Sequence, residues 1–239
     1  PQYAHVPMIL GADGARLSKR HGAVSVMQYD EDGYLPEAVL NYLSRLGWSH
    51  GDDEIFSMEQ FCQWFDLDHI TPSAAQFNTE KLNWLNAHYL KLADPQRLAG
   101  EVSKRLAARG ITTEGGANVV DVVLLYRERA ATLNELADAL EFFYRQIHPA
   151  ADVLEKHLTP EVRPVLQALA AQLAAGAWST EAIHAAIEGA VTANALKFPK
   201  VAMPLRVMLT GGAQSPSIDA VMALLGKDET LRRLQDFLT

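Results

Sequence analysis

The chain has 239 residues, 49% of them hydrophobic and 21% charged, an ordinary globular composition that allows one large domain or two smaller ones and a real core. No apolar run approaches the roughly 20 residues that span a bilayer, and the opening PQYAHVPMIL has neither a basic leader nor a small-residue cleavage site, so a soluble, cytoplasmic protein without a membrane partner is expected. One cysteine, Cys62, excludes an internal disulfide and is expected to be buried as a small hydrophobe, and the eight histidines show no zinc-ligand spacing, so no metal site is expected.

In chain order, Met8, Ile9 and Leu10 form a short apolar run before the turn residues Gly11-Ala12-Asp13-Gly14, which predicts a strand entering a loop. A chain that begins at such a strand, with no partner before it, is expected to start inside a larger domain. After residue 30 nearly every segment predicts a helix. Pro36 suits a first helical turn, Leu35, Val39, Leu43 and Leu46 repeat on one face, and Gly47 is placed to cap the end. Ser57 and Gln60 have capping-box spacing, Thr79 starts a helix with the stripe Leu82, Leu85 and Tyr89, and Asp94 before Pro95 predicts another start. Gly110 to Gly116 reads as a loop and His148-Pro149 as a joint. Thr159-Pro160 predicts a helix with the stripe Val162, Leu166, Leu169 and Leu173 ending near Gly176. Further starts are expected at Ser179, at Ser215-Pro216 and at Asp228, the last helix burying Leu231, Leu234 and Leu238. Trp48, Trp64, Trp84 and Trp178 sit within apolar helical patterns and are expected in the core.

The loop Asp13-Gly14-Ala15-Arg16-Leu17-Ser18-Lys19-Arg20-His21-Gly22 sets small residues and a hydroxyl beside three positive charges. That is phosphate-binding chemistry: glycines let backbone N–H groups approach an oxyanion, Ser18 donates a hydrogen bond, and Lys19 places a point charge on a phosphate. The pattern alone also fits a solvated surface loop. A net charge of −8 argues weakly against nucleic acid, yet basic residues gather locally, at Arg127 and Arg129, at Lys197, Lys200 and Arg206, and elsewhere. Taken alone, each cluster reads equally as a solvated helix face.

The string YAHVPMILGADGARLSKRHGAVSV, Tyr3 to Val26, resembles the segment around the second signature motif of class I glutamyl-tRNA synthetases, the L-S-K-R form of the KMSKS loop. GYLPEAVLNYLSRLGWSHGDDEIFS, from Gly33, and FNTEKLNWLNAHYL, from Phe77, resemble the start and closing helix of that family's tRNA stem-contact domain, and KVAMPLRVMLTGGAQSPSIDAVMALLGKDETLRRL, from Lys200, resembles the distal anticodon-binding helices. The likeness runs the length of the chain and is weakest from Leu98 to Val120.

The resemblance implies a mainly α fold: a remnant of the class I catalytic fold with a stem-contact domain over residues 1–94, then an all-helical anticodon-binding domain over 95–239, with a possible sub-boundary near 150. It implies that Ser18 and Lys19 are catalytic and contact the ATP phosphates with Arg16 and Leu17. At Arg16 the commonest family residue is lysine, so the charge is kept and the compact shape is not. His21 reads as a loop residue. Arg129, in YRERAATL, and Arg206, in PLRVMLTG, correspond to anticodon readers, with Ser215, Pro216 and Ile218 in the nearby contact region; an arginine fork pairs bidentately with a base edge or stacks on an unpaired base. By pattern alone Arg129 is a partner for a carboxylate one helical turn away, and Ser215 and Pro216 simply start a helix. The implied partners are tRNA(Glu), with glutamate and ATP, together with Mg2+, entering through the other half of a monomeric enzyme. The H-I-G-H-type motif is absent from this sequence, so the chain alone is expected to be inactive and to carry no bound cofactor. Glutaminyl-tRNA synthetases end in β-barrels, whereas nothing from Asp94 onward has a strand period. The competing reading is a helical interaction scaffold with no nucleic-acid role, which leaves the basic Gly-Ser-Lys loop unexplained.

Overall fold

A computed structural model of the protein describes residues 1–18 and 25–239. It is mainly α-helical, with thirteen α-helices and two short strands among the described residues. The backbone forms two compact units. One comprises Pro1–Val102 with Arg127–Leu136, the other Ser103–Tyr126 with Ala137–Thr239.

In the first unit the apolar run before the loop forms β1, Ile9–Leu10, as predicted. It pairs in parallel with β2, Ala75–Gln76, Ile9 opposite Ala75 and Leu10 opposite Gln76. After α1, Met27–Glu31, comes α2, Pro36–Arg45, with Pro36 in its first turn, where its missing N–H costs nothing. Gly47 does not provide the left-handed cap expected of it, because α2 closes on right-handed Leu46. Its glycine has another cause: a Cβ there would lie 2.9 Å from Pro7 Cδ. The capping box opens α3, Met58–Trp64, with both bonds in place, Ser57 N–H to Gln60 Oε1 at 2.9 Å and Gln60 N–H to Ser57 Oγ at 3.1 Å. In α4, Thr79–Leu92, the cap is Asn78, whose side chain accepts the Lys81 N–H at 3.0 Å. Val39, Tyr42 and Leu46 pack with Leu82 and Leu85 into one core, and Phe77 meets Tyr42 edge-on with ring centroids 5.2 Å apart. Asp94 and Pro95 open α5, Pro95–Ala108, with the Asp94 carboxylate accepting the Gln96 N–H at 3.0 Å. The division between the units falls within this helix, after Val102.

Two expectations fail here. Cys62 is exposed, not buried: α3 has no buried residue and meets Trp48 through Phe61 and not through its neighbour. Trp84 is 48% exposed, because α4 buries Leu82 and Leu85 on another face, and Lys81 Nζ lies 4.7 Å from its ring centre. Trp48 is core, enclosed by Phe56 and Phe61, while Trp64 and Trp178 are only half-buried.

The second unit takes in α6, Val119–Tyr126, the latter part of α7, Leu133–Leu140, and then α8, Ala151–His157, α9, Arg163–Ala175, α10, Thr180–Ala193, α11, Phe198–Thr210, α12, Ile218–Leu225, and α13, Lys227–Leu238. Helix α10 packs on α9, α11 and α12, and α13 packs on α9, α11 and α12. The predicted stripe Val162, Leu166, Leu169 and Leu173 is buried, but α9 begins at Arg163. Val162 and Arg163 N–H groups both donate to Thr159 O, so Thr159-Pro160 forms a preceding turn and Pro164 is the first-turn proline. Ser179 caps α10 as expected, accepting the Ala182 N–H at 3.2 Å. Helix α12 is entered from Ser217 and α13 from Gly226, each within two residues of the predicted start. Helix α11 ends at Gly211, φ +77°, where a Cβ would lie 2.6 Å from Ile147 Cγ2. Among the described residues no helix is long and apolar enough to cross a membrane.

Candidate nucleic-acid interface

The loop after β1 is built as a tight turn whose backbone groups satisfy one another. Gly11 N–H donates to Ala15 O at 2.8 Å, Gly14 N–H to Gly11 O at 3.0 Å, and Leu17 N–H to Ile9 O at 2.8 Å. The Asp13 carboxylate accepts the Ala15 N–H at 3.0 Å, and Gly14 takes φ +77°, a conformation that favours glycine. Gln76, at the end of β2, donates its amide to Gly11 O and Ala12 O at 3.2 and 3.0 Å. The Gly14 N–H is therefore already committed within the turn. Of the residues named from the sequence for the phosphate, Arg16 is exposed, while Leu17 and Ser18 are half-buried at the loop's end. Lys19 and His21, also named from the sequence, lie outside the described residues.

Arg129 lies in the first unit, in the 3-10 turn Arg127–Arg129, and is exposed. Residues four positions away are Leu125 and Leu133, so no carboxylate sits at the helical pairing distance that pattern alone suggested. Arg127, two residues before it, donates Nη1 to Ala93 O at 3.3 Å and fixes the turn.

Arg206 lies in the second unit, two residues after Pro204, within the continuous helix α11. Its guanidinium is half-buried and reaches back to the loop before α12: Nε donates to Ser215 Oγ at 2.7 Å, Nη2 to Pro216 O at 3.3 Å, and Nη1 to Met203 Sδ at 3.1 Å. Ser215 Oγ in turn donates to Pro216 O at 2.8 Å. The structure thus brings Arg206, Ser215 and Pro216 together, with Arg206 shaping a loop that exposes Ala213, Gln214 and Ser217. Ile218, expected in the nearby contact region, is 1% exposed and anchors the end of the loop in the core. Beside it, burial pushes the Asp219 carboxyl up, but hydrogen bonds from Ser217, the Ala220 N–H and His184 outweigh burial and hold it below the usual carboxylate range.

Sequence reasoning missed Gln76, which lies in a two-residue strand with no periodic signal, and Asn86, whose role is visible only through the partners the fold brings to it.

Residues 76–238 match the family of anticodon binding domains, and the chain belongs to that family. Residues 1–84 match the catalytic domain of class I tRNA synthetases of the E and Q type. Among individual proteins, the chain is 66% identical over its whole length to a glutamate–tRNA ligase of Methylobacillus flagellatus and 62% identical over 98% of its length to one of an Azoarcus species. It spans about half the length of these relatives, 51% and 50%. In three dimensions it is similar to a glutamate tRNA ligase of Elizabethkingia meningosepticum, crystallised in complex with its amino acid, with a TM-score of 0.87 at 30% identity over 100% of this chain and 51% of that one.

Proposed function

We propose that the chain is the tRNA-binding part of a glutamate–tRNA ligase, a cytoplasmic and monomeric enzyme that activates glutamate with ATP and Mg2+ and transfers it to tRNA(Glu). The observation that carries the reading is the meeting, over residues 76–84, of a class I catalytic match and an anticodon-binding match in one mainly helical chain. Residues 1–94 are assigned the phosphate loop and stem contact, and residues 95–239 the anticodon domain, with a sub-boundary near 150. In the whole enzyme ATP supplies the adenylate and the pyrophosphate leaving group. The donor set of this loop suits a nucleotide. An exposed guanidinium at Arg16 and the Ser18 hydroxyl match phosphate oxygens, Lys19 adds a compact charge, and Leu17 sets the loop's register.

For RNA, exposed Arg129 is assigned a base contact. Arg206 and Ser215 are assigned the shaping of the 211–217 loop that meets the anticodon, with buried Ile218 anchoring its end. The test is binding of the purified chain, at stated salt, to transcribed glutamate tRNA and to the same tRNA with an altered third anticodon base. Preference for the cognate anticodon, lost in Arg129→Ala, supports the reading. Equal weak binding to every RNA refutes it and restores the scaffold.

A further inference from the structure

The segment that carries Arg129 is tied down by residues far from it in sequence. Asn86 Nδ2 donates to Ala131 O at 2.5 Å, Leu133 N–H donates to Gly33 O at 2.8 Å, and Asn134 Nδ2 donates to Glu31 O at 2.7 Å. Asn86 is the central tie. It is fully buried on α4, and its other amide atom, Oδ1, accepts the Leu35 N–H at 2.8 Å, just where α2 begins. Both ends of one amide are thus matched to partners of fixed polarity. A flipped amide would set its NH2 against an N–H and its oxygen against a carbonyl, so the orientation is unique. In a buried site each mismatch is costly.

Ala131 is two residues from Arg129, and the Ala131 N–H is itself taken by Glu135 Oε2 at 2.7 Å, while Thr132 Oγ1 accepts the Glu135 N–H at 3.1 Å. An exposed arginine side chain has many rotamers, so what the fold can set is where its backbone stands and in which direction it leaves. We propose that Asn86 is a positioning residue for Arg129: by holding the Ala131 carbonyl against the start of α2, it fixes the 3-10 turn from which the guanidinium reaches RNA. The inference rests on the assignment of Arg129 as a base reader.

The experiment measures, at one stated salt, the ratio of affinities for glutamate tRNA and for its third-base anticodon variant. The proteins are the wild-type chain, Arg129→Ala, Asn86→Ser, Asn86→Asp, and each Asn86 variant combined with Arg129→Ala. Serine is too short to bridge Leu35 and Ala131, and aspartate keeps the acceptor but faces the Ala131 carbonyl with an oxygen. Whichever Asn86 variant melts cooperatively supplies the reading. The ratio is expected to fall about fivefold in that variant, the size of one hydrogen bond's ordering, and to fall no further when it is added to Arg129→Ala. An unchanged ratio in a folded Asn86 variant overturns the inference while leaving Arg129 as a reader. So does an equal fall in the presence and absence of Arg129, which marks a merely structural role. If Arg129→Ala keeps the wild-type ratio, the assignment of Arg129 fails first and leaves Asn86 nothing to position.

Discussion

Replacing Glu229 by glutamine tests how the second unit keeps a positive charge inside. Arg233 is 1% exposed, and its charge is met by Glu229 Oε1, 2.6 Å from Nε, while Nη1 donates to Leu209 O at 3.0 Å. Removing one partner of a buried pair costs roughly 3–5 kcal/mol. Glu229 keeps 35% of its side chain in solvent, where screening weakens the interaction, so about 2–3 kcal/mol is the expected loss. For a chain of this length that is a fall in Tm of about 4–12 °C, read by calorimetry or far-ultraviolet circular dichroism. The same pair carries a pH signature. Hydrogen bonding from Arg232, opposed by burial and joined by Arg233, holds the Glu229 carboxyl at about 2, down from 4.5. Because the folded value is the lower one, its contribution is complete above pH 4.5 and is lost as pH falls towards 2. Glu229→Gln should therefore flatten the acid limb of the stability curve. Combining it with Arg233→Met removes the stranded charge and should recover about half the loss. If the double variant melts no higher than Glu229→Gln, the cost lies in lost contacts and the reasoning about an uncompensated charge is wrong.

Gly33→Ala should lower the urea midpoint by an amount equivalent to roughly 1–3 kcal/mol, because φ is +89° and a Cβ would stand 2.7 Å from Asn134 N. A neutral result would mean that the 31–35 and 132–136 backbones can part. Ser57→Ala removes the hydroxyl half of the capping box and should cost about 1 kcal/mol in the same titration, with Ser57→Thr nearly silent. Gln76→Ala withdraws two donors from the Gly11 and Ala12 carbonyls; hydrogen exchange at the Leu17 amide should speed up about fivefold without a change in Tm, and unchanged exchange would mean the turn is held by its own backbone bonds.

Much of the helical order is legible in the sequence because it rests on local chemistry. The Ser57/Gln60 box, the Asp94-Pro95 start, the Ser179 cap and the α9 stripe each depend on residues within a turn or two of one another. Errors arise where a distant residue decides. Gly47 reads as a cap, but Pro7 makes it necessary; Trp84 and Cys62 read as core, but the helices that carry them face the interior with other residues. Proline is ambiguous for the same reason: Pro160, Pro164 and Pro204 stand respectively in a turn, in a first helical turn and inside a helix. The candidate site divides similarly. Arg16, Leu17, Ser18, Arg129, Arg206 and Ser215 can be named from motif strings, whereas Arg206's grip on the Ser215 loop and Asn86's on Ala131 appear only once the chain is folded.

The return of residues 127–136 to the first unit has a practical meaning for anyone recombining this chain with its relatives. A chimera spliced once, at Asp94 or within α5, takes its Asn86, Gly33 and Glu31 from one parent and their hydrogen-bonding partners at Ala131, Leu133 and Asn134 from the other. A faithful exchange needs three junctions, near Val102, Tyr126 and Leu136, so that the ten-residue segment travels with the helices it was selected beside. Libraries shuffled at a single crossover will sample mismatched pairs at this seam, and their surviving members will report which of those ties tolerate a stranger.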